Sequence, residues 1–204
     1  MRVGVLGPVE VTGADGTPAD LGTPKQRALL AALVLHRPRT VAVETLVDLV
    51  WGDDVPPSPL SSLHGYVSGL RRAVEPSRAR RERASVLVTT PPGYALRVGD
   101  DAVDAGRFTA AVDAAHRALA TAGDLPAAPP GLTPADLADL ADRLGAALAL
   151  WRGTPYQDLD HAAAATAERA RLGVVEPVPH RVGAEDDAAI IAGYAQAGVE
   201  TTAG

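Results

Sequence analysis

The sequence predicts an α+β domain over residues 1–98, an all-α region over residues 99–173 and a divergent tail over residues 174–204. In the first region an alternating apolar segment precedes three helical patterns and a short hairpin, whereas the second is rich in Ala and Asp and carries helical patterns. The charge divides at the same place. Residues 1–98 contain 12 Lys/Arg and 9 Asp/Glu, and residues 99–204 contain 7 and 16, so a basic first part adjoins an acidic second part.

The chain begins with a predicted strand. Apolar residues alternate from Arg2 to Thr12, and the turn-forming run Gly13–Pro18 follows. We therefore expect a small antiparallel N-terminal sheet that closes around Ala19–Gly22.

Two helices are predicted next. Residues Thr23–Gln26 form a capping box with proline at the first helical position, which indicates a helix that ends near His36. An extended piece, Val41–Val43, leads to a second helix over Glu44–Trp51. Gly52 ends this helix.

The third helix has the clearest pattern. Ser58 marks its start, because a serine side chain can accept a hydrogen bond from an orphan backbone N–H, and proline follows at the first helical position. One apolar stripe recurs at spacings of three and four and is predicted to be buried: Leu60, Leu63, Val67, Leu70 and Val74. The opposite face carries small residues and arginine, and small residues let a helix approach another surface closely.

An arginine-rich link and a hairpin complete the domain. Six arginines from Arg71 to Arg83 face only Glu75 and Glu82, so the segment is a basic cluster. Such a patch on an acidic protein indicates a polyanion site, with a solvated linker as the alternative. The hairpin turns at Pro91–Gly93. Helices followed by such a hairpin predict a winged helix-turn-helix domain, in which the third helix can lie in a DNA major groove beside the wing.

The composition argues against several kinds of site. The absence of cysteine excludes disulfides and thiolate metal sites and suits a reducing compartment. No secretory signal and no apolar run of about 20 residues is present, so we expect a cytoplasmic protein without a membrane partner. Nucleotide-binding loops and hydrolase motifs are absent and the five histidines stand alone, so the sequence predicts no catalytic residue, metal or cofactor.

Five short segments carry recognisable motifs. They are VLGP at 5–8, GTPKQRALLA at 22–31, LVWG at 49–52, YVSGLRR at 66–72 and PPGY at 91–94. In this order they resemble the Streptomyces antibiotic regulatory protein (SARP) family, which joins an OmpR/PhoB-type winged-helix domain to a helical bacterial transcriptional activator domain. The resemblance implies a transcriptional activator of secondary-metabolite genes that binds tandem direct repeats in promoter DNA and contacts RNA polymerase holoenzyme.

The second half resembles the helical activator domain as far as residue 173. Helices are predicted over 103–122, 133–151 and 161–172, and a Pro/Ala loop over 123–131. The apolar faces of the first two helices comprise Phe108, Val112, Ala115 and Leu119, then Leu137, Leu140, Leu144, Leu148 and Trp151. These two helices predict an all-α tetratricopeptide-like domain. The tail departs from the family: residues 174–180 carry prolines and are predicted extended, and residues 186–197 allow one more short helix.

The candidate DNA contacts are hydroxyl, imidazole and cationic side chains of the third helix, the link, the wing and the first helix. They are Ser61, Ser62, His64, Ser68, Arg71, Arg72, Arg78, Arg80, Arg81, Arg83, Thr89, Thr90, Lys25 and Arg27. The partner is double-stranded DNA, read through Arg–guanine pairs, hydroxyls and shape, because the sequence has no Asn and the third helix has no Gln. A homodimer on the repeats is a further expectation, and Tyr66 and Tyr94 are expected to pack in the fold.

Two other classes of function stay open at this point. A shortened helical half would make the protein an interaction module or a dominant-negative regulator that does not activate. An enzyme would need a deep pocket lined by converging titratable groups.

Overall fold

The computed structural model describes residues 1–79, 81–120, 133–159 and 161–173. The predicted loop over 123–131, the extended segment 174–180 and the helix over 186–197 lie outside these residues. The described chain contains an N-terminal hairpin, a three-helix unit with a second small sheet, and further helices.

The N-terminal segment forms the expected small antiparallel sheet, but with two strands in place of one long strand. Strands β1 (Arg2–Gly4) and β2 (Glu10–Thr12) pair antiparallel, so the prediction of one continuous strand over residues 2–12 is wrong. The chain reverses near Gly7, whose φ of 145° lies in the region that favours glycine. A Cβ at Gly7 would lie 3.0 Å from the backbone carbonyl carbon of Arg152, which shows how closely the second half approaches this turn.

Three helices form the next unit: α1 (Pro24–His36), α2 (Val43–Trp51) and α3 (Pro59–Val74). The predicted capping box of α1 is confirmed. The Thr23 hydroxyl accepts a hydrogen bond from the Gln26 backbone N–H, and the Gln26 side chain accepts one from the Thr23 N–H at 3.0 Å. These two bonds satisfy donors that the first turn of a helix leaves free.

The predicted buried stripe of α3 is confirmed at four of its five positions. Leu60 is the exception: it is 54% exposed, so its assignment to the core is wrong. Leu60 lies in the first turn of α3, and burial of the stripe begins one turn later, at Leu63. Ser58 is the N-cap residue, as predicted, but its side chain makes no capping hydrogen bond. The prediction that this side chain accepts a bond from a backbone N–H is therefore wrong.

A three-stranded sheet replaces the predicted two-stranded wing. Strands β4 (Leu87–Thr90) and β5 (Gly93–Leu96) form the expected hairpin. The short strand β3 (Val41–Ala42), just before α2, pairs with the other edge of β5, giving the order β3-β5-β4. The wing is therefore attached through its backbone to the start of α2.

The second half contains α4 (Asp104–Ala120), α5 (Pro134–Leu148) and α6 (Ala163–Arg171), with 3-10 turns at Asp100–Ala102 and Gln157–Leu159. α4 packs against α5, and α6 packs against α1.

Three predicted apolar positions of the second half differ from expectation. The side chains of Leu119 and Leu137 are 37% and 36% exposed, and each lies near the end of its helix. Trp151 lies beyond the end of α5 and packs edge-on against Phe108, with ring centroids 5.2 Å apart.

One cluster of buried side chains extends from Val3 to Leu172. Its centre is α1, in which all seven residues of 28–34 are buried. A helix apolar all around must be covered on several sides, and here the winged unit and the second half both cover it. Within the described ranges, no helix is long and apolar enough to cross a membrane.

Two buried or half-buried carboxylates hold the turn between β1 and β2 against the second half. The first is Asp104, only 3% exposed, at the start of α4. Its oxygens accept hydrogen bonds from the backbone N–H groups of Val5 at 2.8 Å, Leu6 at 3.0 Å and Ala105 at 2.8 Å, and they pair with the Arg152 guanidinium at 3.1 Å. A charge this deeply buried is stable only with such a complete set of partners.

The second carboxylate is Asp158. One oxygen accepts the Val9 backbone N–H at 2.9 Å, and the other pairs with Arg27 Nε at 3.0 Å. Two backbone bonds run beside these contacts: Arg152 N–H donates to the Leu6 carbonyl, and Tyr156 N–H donates to the Val5 carbonyl, both at 2.7 Å. The N-terminal turn is thus bonded directly to the second half, and Asp158 joins both the turn and Arg27 of α1 to that half.

Candidate nucleic-acid interface

The exposed face of α3 is a straight stripe of small side chains that ends in a cation. Ser61, Gly65, Ser68 and Arg72 follow at spacings of four, three and four residues, and all are exposed. This spacing keeps them on one side of a helix of 3.6 residues per turn. His64 borders the stripe and is also exposed. Nothing lies within 4 Å of a Cβ built at Gly65, so the stripe is open to an incoming surface.

Arg71 fastens α3 to the wing. Its Nε donates to the Leu87 carbonyl and its terminal nitrogen donates to the Thr89 hydroxyl, both at 2.8 Å. The guanidinium also lies 5.8 Å from the ring centroid of Tyr94. The two predicted DNA contacts Arg71 and Thr89 are therefore bonded to each other, and they set the position of the wing beside the helix.

Glu75, directly after α3, holds the base of the wing, a role that the sequence analysis missed. Its Oε1 accepts hydrogen bonds from the Ser85 N–H and hydroxyl at 2.7 Å and from the Val86 N–H at 3.1 Å. Burial alone would raise the pKa of Glu75, but these bonds and the positive charge of Arg78, 3.8 Å away, hold it below its usual value. The only sequence signal was an isolated acid among arginines.

The arginines of the link differ in whether they bond to other residues of the chain. Arg78 donates to the Glu82 carbonyl at 2.6 Å as well as facing Glu75. Arg81 and Arg83 are exposed and make no ion pair within the described part of the chain. Arg80 lies outside the described residues.

The two predicted contacts from α1 have internal partners that the sequence did not reveal. The Lys25 ammonium donates to the Val50 carbonyl at 2.8 Å. The Arg27 guanidinium pairs with Asp158 and donates to the Gly22 carbonyl at 3.2 Å. Both cations stabilise the contact of α1 with its neighbours.

Acidic side chains lie beside α3 on the side opposite Arg71 and the wing. An open groove of about 600 Å³ separates α3 from the segment after β2, with Arg72 on one wall and Asp15 and Asp20 on the other. Asp15 accepts hydrogen bonds from the Thr17 backbone N–H and hydroxyl, which lower its pKa. The lowered pKa keeps the Asp15 carboxylate negatively charged, and this charge repels phosphate on this side of the helix.

The remaining predicted positions lie at the edge of the site. Ser62 and Thr90 are half-buried. Tyr66 stacks on Trp51 with ring centroids 5.7 Å apart, and Tyr94 is 6% exposed, so both tyrosines pack in the fold as expected. Within the described residues no group of three or more His, Asp or Glu side chains could hold a metal ion.

Comparison with known proteins relates this geometry to a family of regulators. Residues 16–96 match the family described as "Transcriptional regulatory protein, C terminal". The chain is 40% identical over 156 residues to the transcriptional regulatory protein EmbR of Mycobacterium tuberculosis, a match that covers 76% of this chain and 36% of EmbR. It is 37% identical over 174 residues to the regulatory protein AfsR of Streptomyces coelicolor, covering 85% of this chain and 15% of AfsR.

A further relative, the regulatory protein DnrI of Streptomyces peucetius, is 31% identical over 185 residues, covering 86% of this chain and 62% of DnrI. A solved structure, "Mycobacterium tuberculosis EmbR in complex with low affinity phosphopeptide", matches with a TM-score of 0.66 and 34% identity. That match covers 84% of this chain and 41% of the EmbR chain. The chain thus spans about a third of EmbR, and the fold they share includes the winged helix and helices of the second half.

Proposed function

Because the chain belongs to the SARP family of transcriptional regulators and carries their OmpR/PhoB-type winged helix, we propose that it is a sequence-specific DNA-binding transcriptional activator. Its operator would be a pair of tandem direct repeats, and the genes that it regulates would belong to a secondary-metabolite cluster. It would act in the cytoplasm, as an intracellular regulator of transcription.

The observation that carries the proposal is the exposed stripe of α3 beside a wing that Arg71 holds in place. A stripe without large side chains can enter a major groove about 12 Å wide until backbone and base edges are close. Ser61, Ser68 and His64 would donate to or accept from base edges there. The cations Arg72, Arg81 and Arg83 would neutralise phosphates along the DNA major groove.

The acidic groove sets the orientation of the proposed complex. Asp15 and Asp20 line the groove together with Gly69 and Ala73, which lie on the side of α3 opposite Arg71 and the wing. The duplex would therefore approach from the wing side, with Arg72 at the edge of the contact. Lys25 and Arg27 have partners inside the fold and would act on DNA only indirectly, by holding α1 in place.

The test is an equilibrium titration of the full chain, followed by fluorescence anisotropy, against tandem-repeat promoter duplexes and against random duplexes of equal length. At moderate salt we expect the operator to bind at least about a thousandfold more tightly. Equal affinity for both duplexes would contradict the proposal of sequence-specific binding.

The second half would supply the activating contact. The outer face of α5 carries the exposed carboxylates Asp136, Asp139 and Asp142, which suit a protein partner and repel DNA. We propose RNA polymerase holoenzyme as that partner, with α4 and α5 forming a tetratricopeptide-like unit and two protomers lying on the two repeats. Operator binding without stimulation of transcription in vitro would instead favour an interaction module that does not activate.

Arg72→Ala is expected to weaken binding to all duplexes to a similar degree. If Arg72 neutralises one phosphate, the slope of log K against log salt concentration should fall by about one, because each neutralised phosphate releases condensed counterions. The measurement is the same titration repeated over a range of salt concentrations. Arg143→Ala is the matched control, since Arg143 is exposed on α5 and pairs with Asp139. An unchanged slope for Arg72→Ala would show that this side chain contacts no phosphate.

Gly65→Ala is expected to affect folding and DNA binding in opposite directions. Alanine has the higher helix propensity and the site is open, so the free energy of unfolding should rise by up to about 1 kcal/mol. The added methyl group would hold α3 away from the DNA major groove. The free energy of operator binding should weaken by about 1–3 kcal/mol, as for one mismatched base pair. Thermal melts and operator titrations measure the two effects.

The control for this pair of effects is Gly145→Ala on α5, where a Cβ also has nothing within 4 Å. It should raise the melting temperature in the same way and leave DNA affinity unchanged. Full operator affinity in Gly65→Ala would mean that the stripe does not approach DNA closely.

A further inference from the structure

Leu60 is an apolar side chain on the surface of α3 that the fold does not use. It continues the stripe of Leu63, Val67 and Leu70 in sequence, yet it is 54% exposed while they are buried. Single exposed leucines are common on protein surfaces, so exposure alone assigns no role. The role follows from the position of this residue relative to the wing and the acidic groove.

Leu60 lies in the first turn of α3, one turn before His64 and about three turns before Arg71 on the same side of the helix. Arg71 is the residue that fastens the wing. The far side of α3 faces the groove lined by Asp15 and Asp20, which repel phosphate. A duplex that avoids these carboxylates therefore lies on the side of α3 that presents Leu60.

This inference rests on the proposed function and deepens it. Leu60 is exposed near His64 at the N-terminal end of α3, a helix that has the wing on one side and the groove of Asp15 and Asp20 on the other. From this juxtaposition we propose that Leu60 contacts the 5-methyl group of a thymine in the operator. The first residues of a recognition helix are the ones that contact base edges. Thymine is the base that offers an apolar group in the major groove.

The neighbouring side chains make this contact selective. Ser61 follows Leu60 in the chain and His64 lies one turn later. Both offer polar groups that suit the edges of adjacent bases, while the leucine itself offers no hydrogen bond. Cytosine at the same position would place an amino group against an apolar side chain without a partner. Leu60 would thus be a specificity-determining residue, and one turn of α3 would read both polar and apolar features of the groove.

The experiment compares duplexes that differ only in thymine methyl groups. An operator is selected from a random duplex library with the full chain, and each thymine is replaced in turn by deoxyuridine. Wild-type protein is expected to lose about fourfold in affinity at one thymine per repeat, the effect of one buried methyl group. Leu60→Ala should bind the thymine operator more weakly and should no longer distinguish thymine from uracil at that position.

Val55→Ala is the matched control. Val55 is the exposed apolar residue of the loop before α3, at 47% exposure, and its variant should keep the wild-type response to deoxyuridine. Both substitutions remove exposed side chains, so both variants should melt at the wild-type temperature.

The outcomes separate this inference from the function beneath it. A Leu60→Ala protein that still responds to the same thymine, or a wild-type protein that responds to none while binding its operator selectively, overturns the role of Leu60 alone. Loss of transcription in vitro with unchanged DNA binding would assign Leu60 to a protein partner and would equally overturn it. Selection that yields no preferred sequence would contradict the proposed function and the thymine contact together.

Discussion

Replacement of Asp104 by alanine is expected to lower the free energy of unfolding by about 3–5 kcal/mol, because each buried backbone N–H group left without an acceptor costs about 1–3 kcal/mol. The variant would leave the backbone N–H groups of Val5 and Leu6 buried without acceptors, and it would leave Arg152 without its buried partner. Because these groups join the N-terminal turn to α4, the contact between this turn and α4 should weaken, while the bonds of Asp158 to Val9 and Arg27 remain. Denaturant unfolding of the full chain measures the change.

Two further variants separate this effect from a general effect of removing charge. Asp113→Ala removes an exposed carboxylate from the same helix and should change stability by less than about 0.5 kcal/mol. Asp104→Asn keeps an acceptor oxygen but loses the charge that pairs with Arg152, so its stability should lie between the wild type and Asp104→Ala. A melting temperature of Asp104→Ala equal to that of the wild type would contradict the importance of this contact.

The sequence predicted those parts of the fold that depend on local interactions. The capping box at Thr23 and Gln26 needs only residues three apart, and the observed hydrogen bonds confirm it. The turn at Pro91 and Pro92 was predicted for a similar reason, since proline fixes the backbone within a few residues. The stripe of α3 was predicted by its period, but a period cannot show where the covering elements end, and Leu60 at the helix start was therefore misassigned.

The features that the sequence could not predict depend on distant partners. Asp104 bonds to Val5, 99 positions away, and no local pattern distinguishes it from an acid in the first turn of an exposed helix. Strand β3 was predicted only as an extended piece over Val41–Val43, and its pairing with β5 was not predicted, because two residues are too few for an alternating pattern. Arg27 was predicted to contact DNA from the first helix, whereas its partner Asp158 lies 131 positions away.

Contacts between distant residues also decide the roles of side chains in the candidate site. The residue types of the site could be predicted, because small side chains and arginine on one helix face are unusual. The separate role of each residue could not be predicted. Arg71 and Arg72 are adjacent in sequence and chemically identical, yet one is bonded to the wing and the other is exposed. Only the position of β4 beside α3 distinguishes them.

Gly93→Ala is expected to destabilise the protein by about 2–3 kcal/mol, near the upper end of the usual cost of overpacking a core. Gly93 begins β5 and pairs with Ala42 on one side and Thr90 on the other. A Cβ at this position would overlap the carbonyl oxygen of Val41 and lie 3.0 Å from the Cα atom of Ala42. Both are backbone atoms, so rotation of a side chain cannot relieve the overlap and β3 must move away from β5.

The structural consequence of Gly93→Ala should be local and measurable. Because β3 precedes α2 directly, its movement should separate the wing from α2 while the bonds of Arg71 to β4 persist. Hydrogen exchange should therefore quicken at the β3–β5 pair more than at the β4–β5 pair. Gly145→Ala is the control for the same chemical change at an open site and should not destabilise. Wild-type exchange at Tyr94, which pairs with Val41, would show that the sheet accommodates the methyl group and that Gly93 is not required for the third strand.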